Sequence, residues 1–190
     1  MSGPQRREQL LDVTKAIVVA DGFHAVSIEA VAREAGITRP IVYGHFQDLP
    51  GLLEALVARE GARALAQLAR VLPEGGGDPR EQLVAALRGY LEAVEADPGT
   101  WRLVLMPPEG APQVLQRHVA KGREAVLTVL AQAVQPGLGA GRESPDPELT
   151  ARMLSATADE AARLLLTDPQ AYPVPRLVAH ARWVLSQLGP

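Results

Sequence analysis

The sequence predicts an all-α protein in which a three-helix N-terminal domain precedes a larger helical C-terminal domain. Apolar residues recur at helical spacing, as Leu10, Val13 and Ile17 do, and the alternation typical of strands is nearly absent. Short stretches rich in glycine and proline separate segments of helical length. The predicted helices span residues 5–21, 27–34, 38–46, 49–71, 79–96, 99–106, 111–135, 147–166 and 173–188.

The composition is that of a globular protein without cysteine chemistry. Among 190 residues, 47% are hydrophobic and 22% are charged, and there is no cysteine. Disulfides, thiolate metal sites and cysteine nucleophiles are therefore excluded. No apolar run reaches the roughly 18 residues that a membrane-spanning helix needs, and we expect a cytoplasmic protein that does not enter a membrane.

The charge balance does not by itself favour nucleic acid. The formal net charge is −3, and the first fifty residues carry five basic and six acidic side chains. A basic patch is thus not visible in the sequence. Any prediction of DNA binding has to rest on local geometry.

The segment from Ser27 to Phe46 has the proportions of a helix-turn-helix. Ser27 is a good cap for a short helix, Gly36 is suited to the turn, and Thr38 is a good cap for the next helix. Pro40 falls in the first turn of that helix, where its missing N–H breaks no hydrogen bond. The second helix of such a pair enters the major groove with its N-terminal end towards the bases.

The N-terminal residues closely resemble the TetR family of transcriptional regulators. The match runs from Arg7 through Leu53, and its most specific part is the run from Ala35 to Phe46, AGITRPIVYGHF. The resemblance implies a helix-turn-helix head on a helical body that dimerises and senses a ligand. It also implies these DNA-binding residues: Ser27, Thr38, Arg39, Pro40, Ile41, Tyr43 and His45.

The resemblance assigns different roles within this set. Arg39 is the residue suited to a base edge, because its fork matches the acceptors of guanine. Tyr43 and His45 would bind phosphates, which positions the head without reading sequence. The chain departs from the family at Leu49, where a lysine is frequent, and at Pro40, where glycine is common.

The last two predicted helices are apolar on more than one face. Helix 147–166 has two apolar stripes, and Ser155 and Asp159, with Arg152 and Arg163, are predicted to lie on its outer side. In the resembled family these helices form a four-helix dimer interface; the alternative is two core helices of a monomer. The predicted interface residues are Met153, Ala156, Leu164, Leu177, Ala181 and Val184.

A second group of residues is predicted to line an effector pocket. Trp101 opens a segment that ends at two prolines, a rigid boundary that suits a pocket mouth. Glu160 stands in an apolar stripe, where a carboxylate needs a partner. The alternative for each of these residues is an ordinary structural role. The group is Tyr90, Trp101, Leu105, Met106, His118 and Glu160.

Together these features predict a DNA-binding transcriptional regulator, most simply a repressor released from a palindromic operator by a small-molecule effector. Residues 5–50, continuing into a linking helix to about 71, are predicted to form the DNA-binding domain, and residues 72–190 the effector-binding and dimerisation domain of a homodimer. No enzyme motif, cofactor site or metal site is predicted. The alternative is a helical ligand-binding or adaptor protein that has lost DNA binding.

Overall fold

The computed structural model describes residues 2–71, 78–106, 113–135 and 146–187, without the side chains of 113–116 and 118. These residues contain helices and turns and no strand, which confirms the all-α prediction. None of their helices has both the length and the apolar character needed to cross a bilayer. The helices are α1 (Gly3–Asp21), α2 (Ile28–Glu34), α3 (Arg39–Phe46), α4 (Leu49–Ala69), α5 (Pro79–Ala96), α6 (Pro98–Leu105), α7 (Gln113–Val134), α8 (Pro147–Thr167) and α9 (Val174–Gln187).

The helix bounds differ from the predicted ones by one or two residues at most ends. At the first helix the cause is a capping box: the Gln5 amide donates to Ser2 Oγ (3.4 Å), and the Ser2 amide donates to Gln5 Oε1 (2.9 Å). This pair moves the start of α1 from the predicted residue 5 to Gly3. The predicted end of the last helix, Leu188, lies outside the described residues.

The chain forms two compact units. The first contains Met1–Arg63 with Gly99–Ala120, and the second contains Ala64–Pro98 with Lys121–Pro190. Helices α4 and α7 each contribute residues to both units. The division predicted from the sequence, at about residue 71, stays a prediction.

The first unit has an apolar core that fixes the helix-turn-helix. Leu10 and Leu11 of α1, Val31 of α2, Val42 of α3 and Leu52 of α4 are fully buried together. A side chain removed from water in this way stabilises the fold by roughly 1.5–3 kcal/mol. Helices α2 and α3 are therefore held by packing, although each is too short to be stable alone.

A buried carboxylate joins three helices of the same unit. The Glu60 side chain, 2% exposed, pairs with Lys15 Nζ (2.9 Å) from α1 and with Arg59 Nε (2.8 Å). The Thr100 hydroxyl of α6 also donates to Glu60. Burial would raise the pKa of Glu60, but the Thr100 hydrogen bond and the Lys15 ammonium outweigh it, and the pKa is lowered.

In the second unit, α5 packs against α8 and α9. The Tyr90 hydroxyl of α5 donates to Asp159 Oδ1 of α8 (3.2 Å), and Arg123 of α7 pairs with the same carboxylate. Ser155 is buried on the same helix. The prediction that Ser155 and Asp159 lie on the outer side is therefore wrong, because α5 covers that side.

Candidate nucleic-acid interface

The turn between α2 and α3 is closed by hydrogen bonds that the sequence specifies locally. Ser27 caps α2, with the Ala30 amide donating to Ser27 Oγ (3.0 Å). At the other end of α2, the Ile37 amide donates to the Ala32 carbonyl (2.9 Å), and Gly36 has φ of 65°. This is the Schellman arrangement, which favours glycine because its φ is positive.

Helix α3 has one buried side and one exposed side. Val42 and Phe46 are buried and point into the core. Ile41 is 42% exposed and Tyr43 is 47% exposed, although both are large apolar side chains. An exposed apolar surface on a short helix favours a partner that covers it. The predicted DNA-binding residues that are exposed are Thr38, Arg39, Pro40, Ile41 and Tyr43, whereas Ser27 and His45 are half-buried.

Thr38 occupies the N-cap position of α3 but does not cap it with its side chain. A capping oxygen normally accepts from the second or third residue of the helix. The second residue, Pro40, has no N–H, and the Ile41 amide donates to the Thr38 carbonyl (3.0 Å). The predicted side-chain cap is therefore wrong. The exposed Thr38 hydroxyl is left at the N-terminal end of the helix.

Arg39 is paired with a residue of the preceding helix. Its Nη1 donates to Glu29 Oε1 (2.8 Å), and both side chains are more than half exposed. The hydrogen bond from Arg39 lowers the pKa of Glu29. The surface that bears the exposed residues of α3 thus holds a neutral ion pair, in keeping with the absence of a basic patch in the sequence.

At the other end of α3, a cation from α1 stacks on the buried aromatic ring. The Arg7 guanidinium carbon lies 4.8 Å from the centre of the Phe46 ring. Neither Arg7 nor Glu29 is among the residues predicted to form the site. Arg7 lies thirty-nine positions from its partner in sequence and Glu29 ten, so no local motif could reveal these contacts.

A tight turn connects α3 to α4. The Asp48 amide donates to the Phe46 carbonyl (2.7 Å), and Gln47 between them has φ of 64° and ψ of −53°. This is a γ-turn with a positive φ, a strained conformation for a residue with a side chain. Asp48 then caps α4 by accepting from the Gly51 amide (2.7 Å). At Gly51 a side chain would meet the Phe46 carbonyl oxygen at 2.4 Å.

Replacing Gln47 with glycine is expected to stabilise the protein by about 1 kcal/mol, since glycine takes a positive φ without strain. The measurement is the free energy of unfolding in urea. Exposed Ala125 in the middle of α7 provides the control, because glycine there should destabilise by about 0.5–1 kcal/mol. A loss of stability in Gln47→Gly would contradict the strained turn.

The residues predicted for an effector pocket fall in both units. Tyr90 is buried in the second unit, where Glu160 is exposed and pairs with Arg163 (3.2 Å). In the first unit Trp101 and Leu105 are buried and Met106 is exposed. The His118 side chain lies outside the described residues. The effector pocket stays a prediction. The stripe of α8 that contains Glu160 faces solvent in the single chain.

The residues predicted for a dimer interface are exposed or half-buried in the single chain. On α8, Met153 is 64% exposed and Ala156 is exposed. On α9, Val184 is 39% exposed, and the neighbouring Trp183, 58% exposed, stacks on His180. Leu164, Leu177 and Ala181 are half-buried. The dimer interface stays a prediction, and so does the alternative of two core helices in a monomer.

Comparison with known proteins gives matches along the N-terminal half. Residues 10–56 match the model of the family described as bacterial regulatory proteins, tetR family. The transcriptional activator FasR of Mycolicibacterium smegmatis is 29% identical over 100 residues, which make up 53% of this chain and 45% of that protein. The transcriptional regulator BetI of Pectobacterium carotovorum is 38% identical over 93 residues, 47% of this chain and 46% of that protein.

The fold as a whole is similar to solved structures. A TetR-like transcriptional regulator from Rhodococcus sp. RHA1 superposes with a TM-score of 0.79 at 24% identity, covering 98% of this chain and 97% of that one. In sequence, the match spans less than half the length of the two curated relatives named above. Both are named as transcriptional regulators, in agreement with the prediction that this chain is not an enzyme.

Proposed function

We propose that this chain is a sequence-specific, DNA-binding transcriptional regulator of the tetR family of bacterial regulatory proteins, whose family model matches residues 10–56. The observation that supports this most directly is the exposed side of α3. Arg39, Ile41 and Tyr43 point away from the core there, although two of the three are apolar or aromatic. An arginine fork, an apolar side chain and a phenol are groups that bind guanine, the thymine methyl and phosphate.

The proposed docking uses the N-terminal end of α3. Its first amides and its dipole favour negative charge, and the exposed Thr38 hydroxyl lies at the same end. The net charge of −3 then makes steering towards DNA weak. Binding therefore depends on close contacts of the head, with His45 and Tyr43 as phosphate contacts.

The proposed assembly is a homodimer that binds a palindromic operator. The exposed apolar residues of α8 and α9, including Met153 and Val184, would be covered by a second copy. Two heads related by a twofold axis bind half-sites about one DNA turn, or a multiple of it, apart. Residues 72–190 form the dimerising and effector-binding part of this proposal, and the protein acts in the cytoplasm.

We further propose that a small molecule bound in the body changes the affinity for DNA. It does so to the extent that it binds the two dimer states differently. Tyr90 is a buried member of the predicted pocket set that carries a polar atom, and we assign it the role of orienting such a ligand. Release of a repressor is the proposed direction. Because FasR is named as an activator, transcription from an operator-linked promoter with and without the protein decides between repression and activation.

Selection of bound fragments from random duplex DNA is expected to return a palindrome. Arg39→Ala should weaken binding to the selected site by about tenfold to a hundredfold per half-site and remove the preference at one position, because a bidentate arginine contact accounts for roughly 1–3 kcal/mol of discrimination. Binding should also weaken steeply as salt rises.

The matched control is Arg88→Ala, which removes the same charge from an exposed position on α5 and should leave the preference unchanged. Tyr43→Phe should weaken binding to all sequences equally, since a phosphate contact reads no base. If the purified protein binds no duplex at low salt, the proposed function is wrong. The alternative, a helical ligand-binding or adaptor protein, would then stand.

A further inference from the structure

Glu29 and Arg39 form an ion pair across the two helices of the helix-turn-helix. Glu29 lies in the first turn of α2, Arg39 is the first residue of α3, and the distance from Nη1 to Oε1 is 2.8 Å. We propose that Glu29 is a positioning residue that orients Arg39 to read guanine, so that base preference depends on a residue outside the recognition helix. The inference rests on the proposed function, because it concerns the same surface.

The pairing leaves one edge of the guanidinium available. Glu29 accepts from Nη1, and in the part of the chain that the structure describes, the Nε and Nη2 of Arg39 have no hydrogen-bond partner. Nε and Nη2 lie on one side of the planar group and can donate together. The two acceptors of guanine in the major groove, O6 and N7, match such a pair of donors. The contact with Glu29 therefore selects the edge that faces a base.

The backbone that bears Glu29 is held in place. Ser27 caps its helix with a hydrogen bond to the Ala30 amide (3.0 Å), and the hydrogen-bonded turn at Gly36 joins that helix to α3. An exposed arginine without a partner samples many rotamers and loses that freedom when it binds. An acceptor on a neighbouring helix reduces the number of orientations beforehand. Exposed ion pairs add little to stability, so the expected consequence is on selectivity.

The pairing with Arg39 also neutralises the negative charge of Glu29. An unpaired carboxylate at the docking surface would repel the phosphates of DNA. The hydrogen bond from Arg39 lowers the pKa of Glu29, so the carboxylate is ionised at neutral pH. Paired, the two side chains have no net charge, and Arg39 acts by the geometry of its donors.

The experiment measures how strongly each variant prefers guanine. The position read by Arg39 is first identified as the one whose preference disappears in Arg39→Ala. The ratio of the affinities for operators with guanine and with adenine at that position is then measured. It is measured for the wild-type protein and for Glu29→Ala, Glu29→Gln and Glu34→Ala. Glu34 is an exposed acid at the end of the same helix and provides the control for loss of charge. Circular dichroism checks that each variant is folded.

The wild-type ratio is expected to be about tenfold or more, and Glu29→Ala should reduce it at least threefold. Glu29→Gln should keep the ratio, because its amide oxygen still accepts from Nη1, and Glu34→Ala should keep it too. In the Arg39→Ala background, Glu29→Ala should leave the ratio unchanged. An unchanged ratio in Glu29→Ala, or equal losses in Glu29→Ala and Glu34→Ala, overturns the role of Glu29 alone. Absence of any DNA binding by the wild-type chain overturns the proposed function, and this inference with it.

Discussion

Replacing Glu60 with alanine is expected to lower the free energy of unfolding by about 3–5 kcal/mol, the usual cost of removing one partner from a buried ion pair. Lys15 would be left without the carboxylate that lies 2.9 Å from its ammonium, although its side chain is largely buried. The Thr100 hydroxyl would lose its acceptor at the same time. Three helices of the first unit meet at this carboxylate, so the loss affects the framework that supports the helix-turn-helix.

Urea denaturation of the variant and the wild type gives the measurement. Glu54→Ala is the matched control, because Glu54 is an exposed residue of the same helix, and it should change stability by less than about 0.5 kcal/mol. Glu60→Gln keeps the size of the side chain and removes the charge, and it should lie between the two. A loss below about 1 kcal/mol for Glu60→Ala would contradict the buried network.

The contribution of Glu60 also predicts a dependence on pH. Although burial opposes it, the Thr100 hydrogen bond and Lys15 lower the pKa of Glu60 below its ordinary value of 4.5. A carboxyl group of this kind contributes its full stabilisation above its unfolded pKa and loses it as the pH falls through the folded pKa. The stability difference between wild type and Glu60→Gln should therefore be constant near neutral pH and shrink below pH 4.5.

Features that depend on neighbouring residues could be predicted from the sequence. The cap at Ser27 and the turn at Gly36 each follow from residues within one turn of helix. The Glu60 network could not be predicted. Its members at positions 15, 60 and 100 are brought together by tertiary packing alone. In the sequence of its own helix, each of these polar residues is expected to lie on the solvent-exposed surface.

The outer side of α8 shows a second limit of sequence patterns. Helical spacing says which residues share a face, so the grouping of Ser155 with Asp159 is correct. It does not say which face a neighbouring helix covers, and α5 covers this polar one, where Tyr90 supplies a hydrogen bond to Asp159 (3.2 Å). The apolar stripe with Met153 is consequently the exposed one.

The candidate site also has a part that the sequence predicts and a part that depends on tertiary packing. The exposed residues of α3 could be predicted because the run from Ala35 to Phe46 is contiguous and resembles a known family. The contacts of Arg39 with Glu29 and of Arg7 with Phe46 join residues of different helices. They require the angle between those helices, which the sequence does not state.

Introducing a charge on the exposed apolar surface of α8 or α9 is expected to have the largest effect on DNA binding. Met153→Arg or Val184→Glu should convert the proposed dimer into a monomer. Operator affinity should then fall by about 10²–10⁴, because the second head no longer binds at a high effective concentration. Sedimentation of the free protein and gel shift on the selected palindrome measure the two consequences.

The expected loss of operator affinity is large because the dimer interface would bury the substituted side chains. Met153 is 64% exposed and Val184 is 39% exposed in the single chain, so a partner that covers them removes apolar surface from water. An arginine or glutamate there would be desolvated without a counter-charge, which disfavours association by several kcal/mol. The fold of the single chain does not need either side chain, so thermal unfolding of a monomeric variant should remain cooperative.

Met106→Arg separates this effect from a general response to charge. It makes the same substitution at a methionine that is 42% exposed at the end of α6. In the absence of effector it should leave both the sedimenting mass and the operator affinity unchanged. A monomeric Met153→Arg that binds the palindrome as tightly as wild type would show that one head suffices and that the twofold arrangement is wrong. A Met153→Arg variant that stays dimeric would place the interface on another surface, because a charge at a buried contact cannot be accommodated without loss of affinity.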